Sequence, residues 1–79
     1  MDWRPYIEQR ADVMLGKPVV KGTRLTVELI VESLAEGACE TDLLEVHPRL
    51  RPEHIRAAQA YAAASLSSEL TIFQDTAAG

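Results

Sequence analysis

The fold is decided by residues 16–26, which read Gly16-Lys17-Pro18-Val19-Val20-Lys21-Gly22-Thr23-Arg24-Leu25-Thr26. Pro18 fixes its own φ and disfavours helical geometry at the residue before it, so the two valines that follow predict a short strand. Gly16 and Gly22 flank this strand, and glycine adopts positive φ without steric cost, so the chain can turn sharply on both sides. Thr26 stands where a helix N-cap is expected, directly before Val27. The stretch therefore predicts a strand, a turn and a helix start in quick succession.

Upstream of this stretch, the sequence predicts further short strands. Residues 3–7 carry aromatic and apolar side chains around Pro5, a pattern that suits an edge strand or an extended arm. A second apolar run, Val13-Met14-Leu15, leads into Gly16. We therefore expect two or three short strands in the N-terminal quarter. Because an isolated hairpin is marginal in water, they must pack against helices or against a second copy of the chain.

Three helices are predicted downstream. The first spans residues 27–36, where apolar residues recur at helical spacing and Gly37 follows as a stop signal. The second spans about residues 40–47 and is closed by Pro48. The third begins at Pro52, because proline is favoured at the first helical position. Its inner stripe is Ile55, Ala58 and Ala62, and further alanines keep the helix narrow enough for close packing.

These elements predict a mainly α, small α+β fold: a trihelical, helix-turn-helix-like domain preceded by short N-terminal β-strands. We place the domain at residues 1–65 and a partner-binding or flexible tail at residues 66–79. The tail carries a group of large apolar residues that fits either a helix or a strand: Leu66, Leu70, Ile72 and Phe73. They either pack back on the domain's own core or order on the surface of a partner, as a helix in a groove or an added strand.

Composition narrows the function classes. The chain has 79 residues and a net charge of −4, which argues against indiscriminate binding to nucleic acid. It has no apolar run near 18 residues and no leader pattern, so we expect neither a membrane span nor a signal peptide. Its single cysteine, Cys39, cannot form an internal disulfide, which is typical of a cytoplasmic protein. A core this small favours a homodimer.

Cations concentrate in two regions of the acidic chain. Residues 1–25 hold five cations against three acids, and residues 47–61 hold three arginines against one glutamate. In a helix-turn-helix, residues near the start of the recognition helix face base edges, and Arg and Gln read guanine and adenine. The candidate DNA-binding residues are Arg24, Arg49, Arg51, Arg56 and Gln59. The alternative is a solvated polar face, with Thr23 bonding the turn backbone and Arg24 pairing with an acid such as Glu28.

Metal and catalytic sites are not predicted. His47 and His54 are separated by two prolines and a helix boundary, and no other ligand set has metal spacing. Cys39 with either histidine lacks an orienting third group and an oxyanion-hole motif. We therefore expect no metal, no cofactor and no enzymatic activity.

One resemblance covers residues 6–65. The run from Gly16 to Val27, then Gly37, then the pattern Leu43-Leu44-x-x-x-Pro48-x-Leu50-x-x-Glu53-x-Ile55, closely resembles the domain of unknown function 433 family of small bacterial and archaeal proteins. Members of this family are regarded as antitoxins of type II toxin–antitoxin pairs. The chain departs from the family at two predicted N-caps, where Cys39 and Arg51 replace better capping residues, which costs about 1 kcal/mol each.

The resemblance implies a helix-turn-helix-like fold, a neighbouring gene for a PIN-like ribonuclease toxin, and neutralisation of that toxin by direct binding. The domain would also bind the operator DNA of its own operon as a dimer. Two alternatives remain open at this point: a stand-alone DNA-binding regulator without a toxin, and a homo-oligomeric scaffold that binds neither. These three readings predict different partners, so partner binding is what separates them.

Overall fold

The computed structural model describes the backbone of residues 1–78 and the side chains of residues 1–67. It contains two short strands, a 3₁₀ turn and three helices. In chain order these are β1 Ile7–Glu8, the 3₁₀ turn Met14–Gly16, β2 Val19–Val20, α1 Val27–Ala35, α2 Glu40–Val46 and α3 Pro52–Ala78. The predicted class, a small and mainly helical α+β fold with strands at the N-terminus, is confirmed.

The two strands pair within the chain. They run antiparallel, with Ile7 opposite Val20 and Glu8 opposite Val19. The turn after β2 is closed by the backbone N–H of Thr23, which donates to the carbonyl oxygen of Val20 at 3.0 Å. Gly22 has a φ of 79°, the positive value that the third residue of a type II turn requires. The strand and turn predicted from residues 16–26 are therefore present.

The other predicted strands are corrected by the structure. Val13-Met14-Leu15 is not extended: the N–H of Gly16 donates to the carbonyl of Val13 at 3.0 Å, which closes a tight turn. Between Trp3 and Tyr6 the chain also turns, since the N–H of Tyr6 donates to the carbonyl of Trp3 at 2.9 Å. The Trp3 ring instead packs edge-on against Tyr61 of α3, with the ring centroids 4.7 Å apart. At residues 3–6 and 13–16, turn hydrogen bonds stand where strands were predicted, and the packing of Trp3 against α3 agrees with the expectation that this region is held by packing.

Helix α1 begins and ends as predicted. The Oγ1 of Thr26 accepts a hydrogen bond from the N–H of Leu29 at 3.0 Å. At the other end Gly37 takes a φ of 106°. Its N–H donates to Leu34, and the N–H of Ala38 donates to Ser33. These two bonds form a Schellman motif, which satisfies carbonyls that the helix end leaves open.

In both α2 and α3, the side chain of the third helical residue accepts a hydrogen bond from the N–H of the N-cap residue. Cys39 and Arg51 stand at the N-cap positions, as predicted. The Oδ2 of Asp42 accepts a hydrogen bond from the N–H of Cys39 at 2.9 Å, and the Nδ1 of His54 accepts one from the N–H of Arg51 at 3.0 Å. Each side chain reaches back to its cap residue in the manner of a capping box. The weaker caps expected from the sequence are thus partly compensated.

Asp42 gives α2 a pH dependence that can be measured. The hydrogen bonds to its carboxylate, first from the Cys39 backbone and then from the Cys39 side chain, hold its pKa below the usual 3.8. A folded-state pKa below the unfolded one adds stability at pH values above the unfolded pKa. This contribution is lost as the pH falls through the lower, folded value. Urea unfolding should therefore show Asp42→Asn less stable than wild type at pH 7, with the difference shrinking below about pH 4.

The control for this experiment is Glu45→Gln, which removes an exposed carboxylate from the same helix without touching the cap. The difference in free energy of unfolding between Glu45→Gln and wild type should not shrink below about pH 4 as it does for Asp42→Asn. An Asp42→Asn deficit that is the same at pH 2.5 and pH 7 would contradict the assignment of the capping bond to the ionised carboxylate.

One hydrophobic core is shared by the strands and the helices, with α1 and α3 at its centre. Its buried residues come from both strands and all three helices: Ile7, Val20, Val27, Ile30, Leu43, Leu50, Ile55, Ala57 and Ala58. Helices α1 and α3 pack against each other. Ala57 and Ala58 are fully buried, whereas Ala62 is half-buried.

Helix α3 extends past the predicted boundary at residue 65 as a continuous element. It is the longest helix of the chain, and its first half carries the residues that enter the core. Among the residues that the structure describes, no helix combines the length and the apolar character needed to cross a membrane.

Candidate binding surfaces

The Met14–Gly16 turn displays an apolar side chain on a strained backbone. Met14 and Leu15 have φ values of 48° and 57°, and Leu15 is 95% exposed. The left-handed region costs a residue other than glycine about 1–2 kcal/mol, because Cβ approaches the following carbonyl oxygen. Strain of this kind persists only where the surrounding structure imposes it, and it concentrates at functional positions.

The surroundings of this turn show what holds it. The Nε2 of Gln9 donates to the carbonyl oxygen of Gly16 at 3.1 Å. The Oε1 of the same amide accepts a hydrogen bond from the hydroxyl of Tyr61 at 3.1 Å. Gln9 therefore links the turn to α3, and the Leu15 side chain is presented on a fixed support. We call Met14 and Leu15 the exposed turn.

A second surface lies beside the turn after β2. Thr23 shapes it: its Oγ1 donates to the carbonyl of Val20 at 2.8 Å and accepts from the N–H of Leu25 at 3.0 Å. The structural role considered for Thr23 is thus present. The companion interpretation for Arg24 is wrong, because Arg24 forms no ion pair within residues 1–67, and the Glu28 carboxylate pairs with Lys17 Nζ at 3.3 Å.

Arg24 instead lines a cleft of about 510 Å³ between this turn and the α2–α3 connection. The apolar wall of the cleft consists of Val20, Leu25, Val46, Pro48 and Leu50. Arg24, Arg49, Thr23 and His47 supply the polar part of the lining. A smaller cleft of about 440 Å³ adjoins it and shares Thr23, Arg24 and Arg49. We call the larger one the arginine cleft.

The five candidate DNA-binding residues separate into two groups. Arg24 and Arg49 meet at the arginine cleft, although they lie far apart in sequence. Arg51, Arg56 and Gln59 are exposed at the start of α3 and line neither of these clefts. Arg56 and Gln59 are three residues apart on the helix, so they share a face.

The apolar residues of the predicted tail fall partly within the described region. Leu66 is 52% exposed and lies at the end of a groove between α1 and α3, next to Tyr61 and Ala62. Leu70, Ile72 and Phe73 lie outside the residues whose side chains are described. Their proposed contact with a partner stays a prediction.

The histidines and the cysteine have local structural surroundings. The Nδ1 of His54 bonds the start of α3, and its ring lies 5.9 Å from that of Tyr6. His47 is the C-cap residue of α2, and Cys39 is an exposed free thiol at the opposite end of that helix. Within residues 1–67 no group of three or more His, Cys, Asp or Glu side chains is arranged to hold a metal ion.

Sequence reasoning missed Leu15 and Val46, the two most exposed large apolar side chains on these surfaces. The apolar run ending at Leu15 suggested a strand, and a left-handed leucine has no sequence signal because side chains other than glycine, asparagine and aspartate rarely adopt that region. The signal that could have identified Val46 is its position at the last turn of the predicted second helix, where a side chain has fewer neighbours on its own helix.

Three comparisons place these features among known proteins. The family model described as "Protein of unknown function (DUF433)" matches residues 7–62. The "Uncharacterized protein y4eO" of Sinorhizobium fredii (strain NBRC 101917 / NGR234) is 36% identical over 77 residues, a match that covers 96% of this chain and 35% of the relative. The chain thus spans about a third of that relative's length.

The chain also resembles a solved structure, the crystal structure of a DUF433 member protein from Anabaena variabilis ATCC 29413. The TM-score is 0.69 at 25% sequence identity, and the match covers 92% of this chain and 68% of the other. The matched region of the family model includes both the exposed turn and the arginine cleft.

Proposed function

The chain belongs to the DUF433 family of proteins of unknown function, and from this premise we propose that it is an antitoxin of a type II toxin–antitoxin pair. It acts in the cytoplasm as a homodimer and neutralises a PIN-like ribonuclease toxin by direct, steric binding. The observation that carries the proposal is the exposed turn, because a strained backbone that holds Leu15 in solvent is typical of a contact surface. Leu66 and the tail residues Leu70, Ile72 and Phe73 provide a second contact.

Surface composition supports a binding role. Leu15, Val46 and Leu66 are all more than half exposed on a chain of only 79 residues. They lie on three separate surfaces: the exposed turn, the arginine cleft and the groove between α1 and α3. In protein interfaces, a few residues supply most of the binding energy.

The proposal is tested by co-expressing the tagged chain with the product of the neighbouring gene and measuring the mass of the purified complex by light scattering. We expect a stoichiometric complex and an inhibited ribonuclease. Removing residues 66–79 should weaken or abolish the complex. Full ribonuclease activity in the presence of excess protein would overturn the proposal.

Leu15→Asn is the sharper variant. Asparagine tolerates the left-handed region, and Leu15 makes little contact with the core, so the free energy of unfolding should stay equal or rise by up to about 1 kcal/mol. Affinity for the partner should fall at least about tenfold, because an apolar anchor is lost. Stability is read from urea unfolding and affinity from titration of the purified partner.

The matched control is Leu29→Gln, which removes an exposed leucine from α1 and leaves Met14 and Leu15 unchanged. It should leave partner affinity within twofold of wild type. Equal losses for the two variants, or no loss for Leu15→Asn, would remove the exposed turn from the interface.

A second candidate function is a stand-alone DNA-binding regulator. The observation that favours it is the exposed group at the start of α3, where Arg51, Arg56 and Gln59 are free of core packing. This candidate requires tighter binding to operator than to random DNA, with a salt dependence set by a handful of phosphate contacts. Equal affinity for the two DNAs would exclude sequence-specific regulation.

A further inference from the structure

The arginine cleft carries positive charge that the chain does not neutralise. Three other cations of the N-terminal region are paired on the surface: Arg4 with Asp2, Arg10 with Asp12 and Lys17 with Glu28, while Lys21 forms no ion pair within residues 1–67 but lines neither cleft. Arg24 and Arg49 form no ion pair within residues 1–67, and both are exposed. Two guanidinium groups at one cleft are therefore available to an anionic partner.

The acid that lines the smaller cleft with these two arginines already accepts a hydrogen bond within the chain. Glu8 lines the smaller cleft together with Arg24 and Arg49. Its Oε2 accepts a hydrogen bond from the N–H of Gly22 at 2.9 Å, which holds it to the turn. Its carboxylate therefore supports the turn, and the two arginines keep their capacity to bind carboxylates from outside.

The rest of the lining selects for an apolar neighbour of that anion. Val46 is 70% exposed at the end of α2, and Pro48 and Leu25 also line the cleft. A volume of about 510 Å³ accommodates one or two large side chains. Specific sites combine a mostly apolar wall with a few placed polar groups in this way.

We propose that the arginine cleft receives an acidic segment of a partner protein, with a large apolar side chain against Val46 and Pro48 and a neighbouring carboxylate at Arg24 and Arg49. This inference rests on the proposed function, since it assumes a protein partner, and it names the chemistry of a second contact on that partner. Arginine suits this role because its planar guanidinium binds carboxylates through two parallel hydrogen bonds.

Charge complementarity favours a peptide over duplex DNA. A DNA backbone is bound by a row of cations on a convex or groove-filling surface, and it gains nothing from an apolar pocket. The net charge of −4 repels a polyanion. A short acidic segment interacts mainly with the two nearby arginines, because salt screens the more distant charges. The apolar wall then contributes to peptide binding only.

The test is an unbiased selection of peptides displayed on phage, using the full-length chain as bait. Wild type should enrich peptides in which aspartate or glutamate stands beside leucine, isoleucine or an aromatic residue. The double variant Arg24→Glu/Arg49→Glu should bind the selected peptides at least tenfold more weakly in fluorescence anisotropy. Replacing the acidic residues of a selected peptide with asparagine and glutamine should weaken wild-type binding to the same extent.

The matched control is Arg4→Glu/Lys21→Glu, which changes the net charge equally at two exposed cations that line neither cleft. It should keep the affinity for the selected peptides within threefold of wild type. Circular dichroism and urea unfolding establish that both double variants are folded. Equal losses in the two variants would show a general charge effect and overturn the proposal.

Other occupants give distinct results, each of which overturns the proposal. In the first, the selection enriches no peptide, or it enriches peptides without acidic residues. In the second, Arg24→Glu/Arg49→Glu loses the binding of duplex DNA and nothing else. In the third, a wild-type dimer becomes monomeric in that variant. The last two assign the cleft to DNA and to a second copy of the chain.

The proposed function is judged separately. If the complex with the toxin forms equally well with Arg24→Glu/Arg49→Glu, the cleft proposal fails and the antitoxin proposal stands. If no toxin complex forms but acidic peptides bind through the arginines, the antitoxin proposal fails and the cleft belongs to another partner.

Discussion

Replacing Ile30 with alanine is expected to lower the free energy of unfolding by about 2–5 kcal/mol. Ile30 is fully buried in the middle of α1, and it belongs to the cluster that joins both strands and all three helices. Truncation removes buried methyl groups and leaves a cavity that the neighbouring elements close only partly. A domain of this size has a total stability of about 4–12 kcal/mol, so the variant could lose most of its folded population.

The measurement is urea unfolding followed by circular dichroism. Leu29→Ala is the matched control, because Leu29 is the preceding residue on the same helix and is 44% exposed. The control should lose less than about 1 kcal/mol, since surface substitutions seldom cost more. Similar losses at both positions would show that α1 does not bury the face that carries Ile30.

Replacing Ala58 with leucine is expected to destabilise the fold by about 1–3 kcal/mol. Ala58 is fully buried on α3, and α3 packs directly against α1. A larger side chain at this position forces the helices apart or into strained rotamers, because packed interiors have few voids. Helix propensity does not account for the expected loss, because alanine and leucine have similar propensities.

Ala63→Leu is the control for this second prediction. Ala63 lies on the same helix but is exposed, so the added side chain extends into solvent and stability should stay within about 0.5 kcal/mol of wild type. Thermal unfolding of the two variants separates the cases. An Ala58→Leu variant as stable as wild type would mean that α3 leaves room at its contact with the core.

The local signals in this chain were sufficient to predict the strand at residues 19–20 and the three helices that follow it. Thr26 and Gly37 bound α1 as expected, and Pro52 begins α3, because caps and prolines act through bonds within one helical turn. The strand at Val19 and Val20 followed from Pro18 and Gly22 for the same reason. The apolar run at residues 13–15 was misjudged, since periodicity cannot reveal a left-handed turn that Gln9 and Tyr61 hold from elsewhere in the chain.

The candidate sites were only partly accessible to sequence reasoning. Arg24 was selected beside a predicted turn and Arg49 at the start of the predicted third helix, but nothing in their spacing indicates that they line the same cleft. Their convergence depends on how the α2–α3 connection packs beside the turn after β2. The pairing considered for Arg24 with an acid such as Glu28 is wrong for a similar reason. In the folded chain the Nζ of Lys17 lies 3.3 Å from the Glu28 carboxylate.

The sequence by itself determined the strand at residues 19–20, the order of the three helices, the start of α1 and the family, because each depends on residues close together in the chain or on a contiguous motif. The tertiary structure alone decided which apolar side chains remain in solvent and which arginines share a cleft. Those outcomes depend on packing between segments far apart in sequence, where burial and ion pairing are settled by which surfaces come into contact and not by any local preference.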